Sequence, residues 1–154
     1  MLKKFVSSLL ALLILCGCTS SEGSVNNGTQ AQQAAEKLVR RLGMTDTMEE
    51  VRYRVVKGLF FQGEDVITDG SVYYSKINGN KDTVGVFYTD DTETCMKYLQ
   101  EYLKDQKTAT ESQYPEEVFK ISNAVLDENG KVVVLVVTSD IEEAKKQVKQ
   151  FLGK

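Results

Sequence analysis

Residues Val132 to Val137 read VVVLVV, six apolar residues with no polar break, set between an Asn-Gly pair and the polar Thr138-Ser139-Asp140. Successive side chains of a strand point to opposite faces, so this run puts valine or leucine on both. A strand of that kind is stable only where both faces are covered, which makes it central in its sheet. The segment Val84 to Thr89, VGVFYT, alternates only in part and reads as a neighbouring strand. The chain is thereby committed to a sheet with helices packed on it.

Turn residues arrange the rest. "SVYYSKI" and "TVGVFYT" flank Asn78-Gly79, and "ISNAVL" and "KVVVLVVT" flank Asp127-Glu128-Asn129-Gly130. Asn-Gly supplies the positive φ angles of tight hairpin turns, so two β-hairpins are predicted. Each hairpin runs into a helix, one from Asp91 to about Gln106 and one from Asp140 to Leu152. A shift of 49 residues aligns "VGVFYTDDTETCMKYLQEYL" with "VVLVVTSDIEEAKKQVKQFL" without a gap, matching Asp91 to Asp140 and Leu103 to Leu152. The chain therefore reads as two ββα units, by duplication or by shared punctuation. Asp90-x-x-Glu93 and Ser139-x-x-Glu142 fit capping boxes at the two helix starts. Tyr114-Pro115-Glu116-Glu117 opens a short helical piece between the units, with Pro in the tolerated first turn.

Upstream, Ala31, Ala34, Ala35, Leu38, Val39 and Leu42 fall at helical spacing, with Gly43 as the stop. A second helix is predicted after Asp46, through Met48, Val51, Val55 and Leu59, with Glu49 and Glu50 in its first turn. Leu59-Phe60-Phe61 could end it or begin an extended segment. The two C-terminal helices are expected on one face of the sheet and the N-terminal helices on part of the other. The fold class is α+β, an antiparallel or mixed sheet built from two ββα units in a single domain over residues 31–154.

The N-terminus carries a different message. Met1-Leu2-Lys3-Lys4 is a basic head, and Phe5 to Leu15 is apolar but for Ser7 and Ser8. That run is shorter than the ~20 residues a membrane-spanning helix needs, and it has the layout of a secretory signal peptide. It ends in Leu15-Cys16-Gly17-Cys18, which resembles the bacterial lipobox: an aliphatic residue three places before an obligatory cysteine, with a small residue between. Only Cys18 fits the obligatory position, because cleavage before Cys16 would put Leu15 where a small residue is required. The resemblance implies a signal peptide over residues 1–17 and a diacylglycerol thioether on Cys18. Ordinary cleavage without lipid, or a Cys-x-Cys metal or redox site, are the alternatives; a metal site would need further ligands and a supporting shell. Two acyl chains are what stable anchoring requires, since each buried CH₂ contributes ~0.8 kcal/mol. Residues 18–30 are rich in Ser, Gly, Asn and Thr and read as a flexible tether reaching ~20 Å.

Composition excludes several functions. There is no histidine, the commonest general base and a common zinc ligand. The formal charge is −3, and loss of Lys3 and Lys4 makes it two units more negative, so the chain has no electrostatic footprint for nucleic acid or an anionic membrane surface. Cys95 is the one thiol of the domain and lies on an inward helical stripe with Leu99, Tyr102 and Leu103, which suits a small core residue better than a nucleophile. Asp90, Asp91 and Glu93 match no EF-hand spacing and suit a helix start better than a calcium site. Tyr73, Tyr74, Tyr88, Tyr98, Tyr102 and Tyr114 are many for a domain without Trp. Tyr73 and Tyr74, adjacent in a strand, must point to opposite faces.

The lipobox, "DTVGVFYTDDTETCMKYLQEYL", "YPEEVFKISNAVL" and "GKVVVLVVTSDIEEAKKQVKQFL" together resemble a bacterial lipoprotein family of Firmicutes type, known only as the domain-of-unknown-function 4358 family. The resemblance spans about Leu38 to Leu152. In that family an acidic residue often precedes the strand at VGVFY; Thr83 stands there here, and no role is carried over. The family implies a surface lipoprotein, with no catalytic residue, cofactor or metal site beyond the lipid on Cys18. The expected function is that of a lipid-anchored, extracytoplasmic binding or accessory module with an envelope protein as partner and the cell membrane as location. A small carboxylate-based enzyme and a small-ligand receptor are the alternatives.

Overall fold

The computed structural model describes residues 28–154. The signal peptide, Leu15-Cys16-Gly17-Cys18 and nearly all of the tether lie outside the described residues. Helix α1 (Gln30–Arg41) is followed by strand β1 (Met48–Glu50), helix α2 (Tyr53–Phe61) and the hairpin β2 (Asp69–Ser75) and β3 (Thr83–Tyr88). Helix α3 (Thr92–Glu111), a 3₁₀ turn over Pro115–Glu117 and helix α4 (Val118–Ser122) come next. Strands β4 (Val125–Asn129) and β5 (Val132–Val137) and helix α5 (Ile141–Leu152) close the chain. The five strands form one sheet in the order β1-β2-β3-β5-β4, antiparallel throughout. This is the expected α+β fold, with two ββα units.

The VVVLVV strand lies inside the sheet and is covered on both sides. Val133, Leu135 and Val137 join Val56, Phe60, Phe61, Val72, Phe87, Cys95 and Leu99 on one face. Val134 and Val136 join Ala35, Leu38, Val84, Val86, Ala144 and Val148 on the other. Helices α2, α3 and α4 thus cover the first face, and α1 and α5 the second.

That division corrects the expectation that α3 and α5 share a face. The reason is strand parity. The two helices leave their strands through equivalent links, Thr89 to Asp91 and Thr138 to Asp140, and each folds away from the last residue of its strand. Tyr88 points to the second face and Val137 to the first, because Val137 pairs with Thr83 at the far end of the six-residue β3. A two-fold axis normal to the sheet would exchange the hairpins but leave both helices on one side, so it does not relate the two units.

Three further readings are corrected. Met48–Glu50 is an edge strand, not the first turn of a helix, and α2 starts five residues later. Its buried face is Val56, Phe60 and Phe61, while Val55 and Leu59 are exposed. The helix caps are Asp91, which accepts from the Thr94 amide at 3.0 Å, and Asp140, which accepts from Glu143 at 3.2 Å, each one residue after the predicted Asp90 and Ser139. Helix α3 continues to Glu111, one turn and more past Gln106.

The turns differ as well. In the second hairpin Asp127, Glu128 and Asn129 are strand residues, and the link is Gly130-Lys131 with Gly130 at φ +60°. Glycine at that first position suits a II′ turn. The first hairpin has a wide loop, Lys76 to Asp82, in which only Gly79 has positive φ, at +84°. The Asn80 amide bonds to the Ile77 carbonyl at 3.1 Å, so Gly79 sits third in a turn that needs a left-handed residue there. A Cβ on Gly79 would also come within 2.6 Å of the Tyr114 ring.

Candidate functional site

The wide β2–β3 loop roofs a cavity of about 490 Å³. Its apolar walls are Leu59 of α2, Leu103 of α3, Ile121 of α4 and Val137 of β5, with Ile77 from the loop. The polar groups are Tyr74, Thr83, Tyr102 and Gln106, and the loop adds Lys76, Asn78, Asn80 and Lys81. The volume lies in the range of small-molecule sites.

At one wall the Tyr74 and Tyr102 hydroxyls share a hydrogen bond of 2.7 Å. Tyr74 reaches the first face because strand alternation sends Tyr73 to the second, as predicted. Tyr102 arrives from α3, three residues beyond Leu99 on the same stripe. The Phe60 ring lies 4.1 Å from Tyr102 and stacks on Tyr74 with centroids 6.1 Å apart. Burial raises both phenols, that of Tyr102 to about 12 against the opposing effect of its bond to Tyr74. Both therefore carry their protons at neutral pH. Two phenols hold two protons and their mutual bond uses one, so one O–H is left to donate.

The roof is held in place by buried charge. Lys120 of α4 reaches Asp82 at 3.0 Å and Glu117 at 2.9 Å, with all three side chains between 13% and 16% exposed. Glu117 also accepts from the Lys81 amide at 2.9 Å, and the Lys81 ammonium lies 5.2 Å above the Tyr114 ring. Burial would raise the Glu117 carboxyl, but the Lys81 amide and the Lys120 ammonium outweigh it and hold the group below its ordinary value. Burial would likewise lower Lys120, and Glu117 and Asp82 reverse that.

Replacing Lys120 by Met leaves two largely buried carboxylates without their cation. Breaking a fully buried pair costs ~3–5 kcal/mol, and with partial water access here the expected loss is about 2–3 kcal/mol in denaturant unfolding. The pH dependence follows from the lowered Glu117. Its contribution is present above its unfolded value near 4.5 and is lost as pH falls through the lower folded value. The stability difference between the wild type and Glu117→Gln should shrink on that descent.

Other candidate residues have structural employment. Cys95 is fully buried, and burial, then Asp91, push its thiol up to about 12, overriding any help from the helix start. Asp91 caps α3 and Asp90 pairs with Lys131. Asp127 pairs with Lys154 at 2.6 Å. A second hollow, of about 480 Å³ beside Glu50, Arg52, Tyr53 and Asp69, contains two carboxylates, each bound to protein donors. Asp69 accepts the Ala31 and Gly70 amides, and Glu50 accepts the Ser71 hydroxyl. Among the described residues no group of three metal-ligating side chains occurs, and no helix is long and apolar enough to cross a membrane.

Sequence reasoning named Tyr74 and Tyr102 but did not join them, and it missed the cavity. The available signal was the seven residues between β2 and β3, more than an Asn-Gly hairpin needs.

A family model for a domain of unknown function, DUF4358, matches residues 41–138. The chain belongs to the DUF4358 family. The matched span contains every residue lining the β2–β3 cavity, together with α2, α3, α4 and all five strands. Helix α5 and all but the last residue of α1, the two helices of the second face, fall outside it. The DUF4358 assignment carries no activity with it. No curated protein and no solved structure gives a significant match.

Proposed function

We propose that this protein is a lipid-anchored, extracytoplasmic binding module, non-catalytic, that takes a small molecule into the cavity beneath the β2–β3 loop. The cavity carries this reading. It is lined by apolar side chains, hydroxyls, amides and two lysines, a set suited to holding a ligand, and among the described residues no carboxylate or thiol lines it. The one free tyrosine O–H and the two lysine ammonium groups are its binding groups. An envelope protein would receive or deliver what is bound.

Anchoring is supported by the basic head, the short apolar run and Leu15-Cys16-Gly17-Cys18. The mature protein, isolated from the membrane fraction, is expected to begin at Cys18 with a diacylglycerol mass on that residue. Cys18→Ser should retain residues 1–17 and incorporate no labelled fatty acid. A wild-type chain that begins elsewhere, or carries no lipid, would rule the anchor out.

A further inference from the structure

We infer that the cavity's ligand is a small amphiphile, an apolar body bearing one anionic head, with the head held by Lys76 and Lys81 and the body lying along Leu59, Ile77 and Leu103. This rests on the cavity being a binding site, and it adds the chemistry of what fills it.

Three observations converge on that class. The first is uncovered apolar surface at the cavity itself: Leu59 is 45% and Ile77 53% exposed, although both line a concave site with buried Ile121 behind them. A ligand body lying there would remove this surface from water, at roughly 25 cal/mol per Å². The second is the charge of the rim. Lys76 and Lys81 both line the cavity, and among the described residues neither is in a salt bridge, whereas Lys120 beside them is committed to Asp82 and Glu117. On a chain of net negative charge, the three ammonium groups of Lys76, Lys81 and Lys120 outnumber the carboxylates of Asp82 and Glu117 by one, and Lys81 lies over the Tyr114 ring, so the loop forms a local positive site. The third is the tyrosine pair. Tyr102 is 8% exposed and hydrogen-bonded to Tyr74, and one O–H of the two has no acceptor among the described residues. It can donate to an oxygen of the head or of a polar group farther along the body.

The polar groups fit an anion better than a cation. Among the described residues no acidic side chain lines the cavity, and the carboxylates nearest the loop, Asp82 and Glu117, are both engaged by Lys120. A cationic amphiphile would meet like charge at the rim, with nothing inside to repay its desolvation. A neutral one would gain the apolar contacts alone.

The test uses three probes with the same ten-carbon chain, decanoate, decanol and decyltrimethylammonium, each titrated below its micelle concentration into the purified protein. Methyl NMR of Leu59, Ile77, Leu103 and Ile121 reports the site. Decanoate is expected to bind saturably, shift those methyls, and bind about tenfold more tightly than decanol, as one charge-assisted contact would give. Added salt should narrow that gap. The paired substitution Lys76→Gln and Lys81→Gln should weaken decanoate about tenfold and leave decanol unchanged. The melting temperature should fall by no more than a few degrees, since neither side chain is in a salt bridge among the described residues and Lys81 gives up only its contact with the Tyr114 ring. Equal binding of decanoate and decanol would overturn the anionic head while leaving the cavity a binding site. No saturable binding of any probe, with the four methyls unmoved, would overturn both readings. Binding to phosphatidylglycerol vesicles without saturable decanoate binding would also overturn the proposal, in favour of a bilayer contact.

Discussion

Val134→Asp is expected to abolish folding at neutral pH. Val134 is fully buried on the second face, beneath the layer that α1 and α5 contribute, and its neighbours in the same cluster are Val86, Val136, Ala144 and Val148. The new carboxylate would lie among aliphatic side chains. Its desolvation alone amounts to several kcal/mol, against a total stability of ~5–15 kcal/mol for an ordinary domain. The register makes matters worse. Across the β4–β5 ladder Val134 is paired with Asp127, on the same face, so the substitution sets two carboxylates opposite each other. Asp127 already holds the Lys154 ammonium at the sheet edge. A buried acid binds its proton more tightly when folded than when unfolded, so the variant should regain part of its stability as pH falls. Circular dichroism and thermal melting at pH 7 and pH 4.5 measure both effects. A variant that melts within a few degrees of the wild type at pH 7 would contradict the double coverage of β5. Val134→Ala, which only empties space, should fold with a loss of about 1–3 kcal/mol.

The same strand shows what could be read from the chain and what could not. An unbroken VVVLVV run states that both faces are covered, because alternation is a local property of the backbone. It does not say which helix covers which face. That depends on whether β3 and β5 end on the same or opposite sides of the pleat, hence on a pairing register that no short segment encodes. The second helix failed for a related reason. Met48, Val51, Val55 and Leu59 have helical spacing, yet Met48–Glu50 pairs with Tyr73 to Ser75 as an edge strand. The tertiary gain of extending the sheet outweighs a weak local preference. The caps fall one residue later at both α3 and α5, and at α3 the Asp91 amide donates to the buried Thr89 hydroxyl at 3.0 Å, which fixes Asp91 at the helix start. The cavity was least legible of all. Tyr74, Lys81 and Tyr102 are brought together by strand alternation, loop length and helix phase, and none of the three carries a motif.

Phe60→Ala is expected to cost about 3–5 kcal/mol and to disable the cavity along with the core. Phe60 is 1% exposed and occupies the centre of the first-face aromatic cluster. Its ring contacts Tyr102 with centroids at 4.1 Å, Phe87 at 5.7 Å, Tyr74 at 6.1 Å and Phe61 at 6.4 Å. Such pairs contribute beyond the area they bury, so truncation loses several at once. The hole cannot close easily. On its sheet side Phe87 is already pressed over two glycines: a Cβ on Gly85 would come within 2.8 Å of its ring and one on Gly70 within 3.3 Å. Phe87 therefore has little room to slide. The side free to relax is that of Tyr74 and Tyr102, whose 2.7 Å hydrogen bond Phe60 supports from below. Relaxation there would pull the two hydroxyls out of line and narrow the space under the loop. Phe60→Leu keeps most of the volume and should lose about 1–2 kcal/mol while leaving the pair together. Equilibrium urea unfolding gives the stability term, and methyl shifts of Ile77 and Ile121 report the cavity. If Phe60→Ala loses under 1 kcal/mol, the ring is not central to the core. If it loses the full amount while those methyls stay unmoved, the cavity is independent of the aromatic cluster, and the coupling of core to site is wrong.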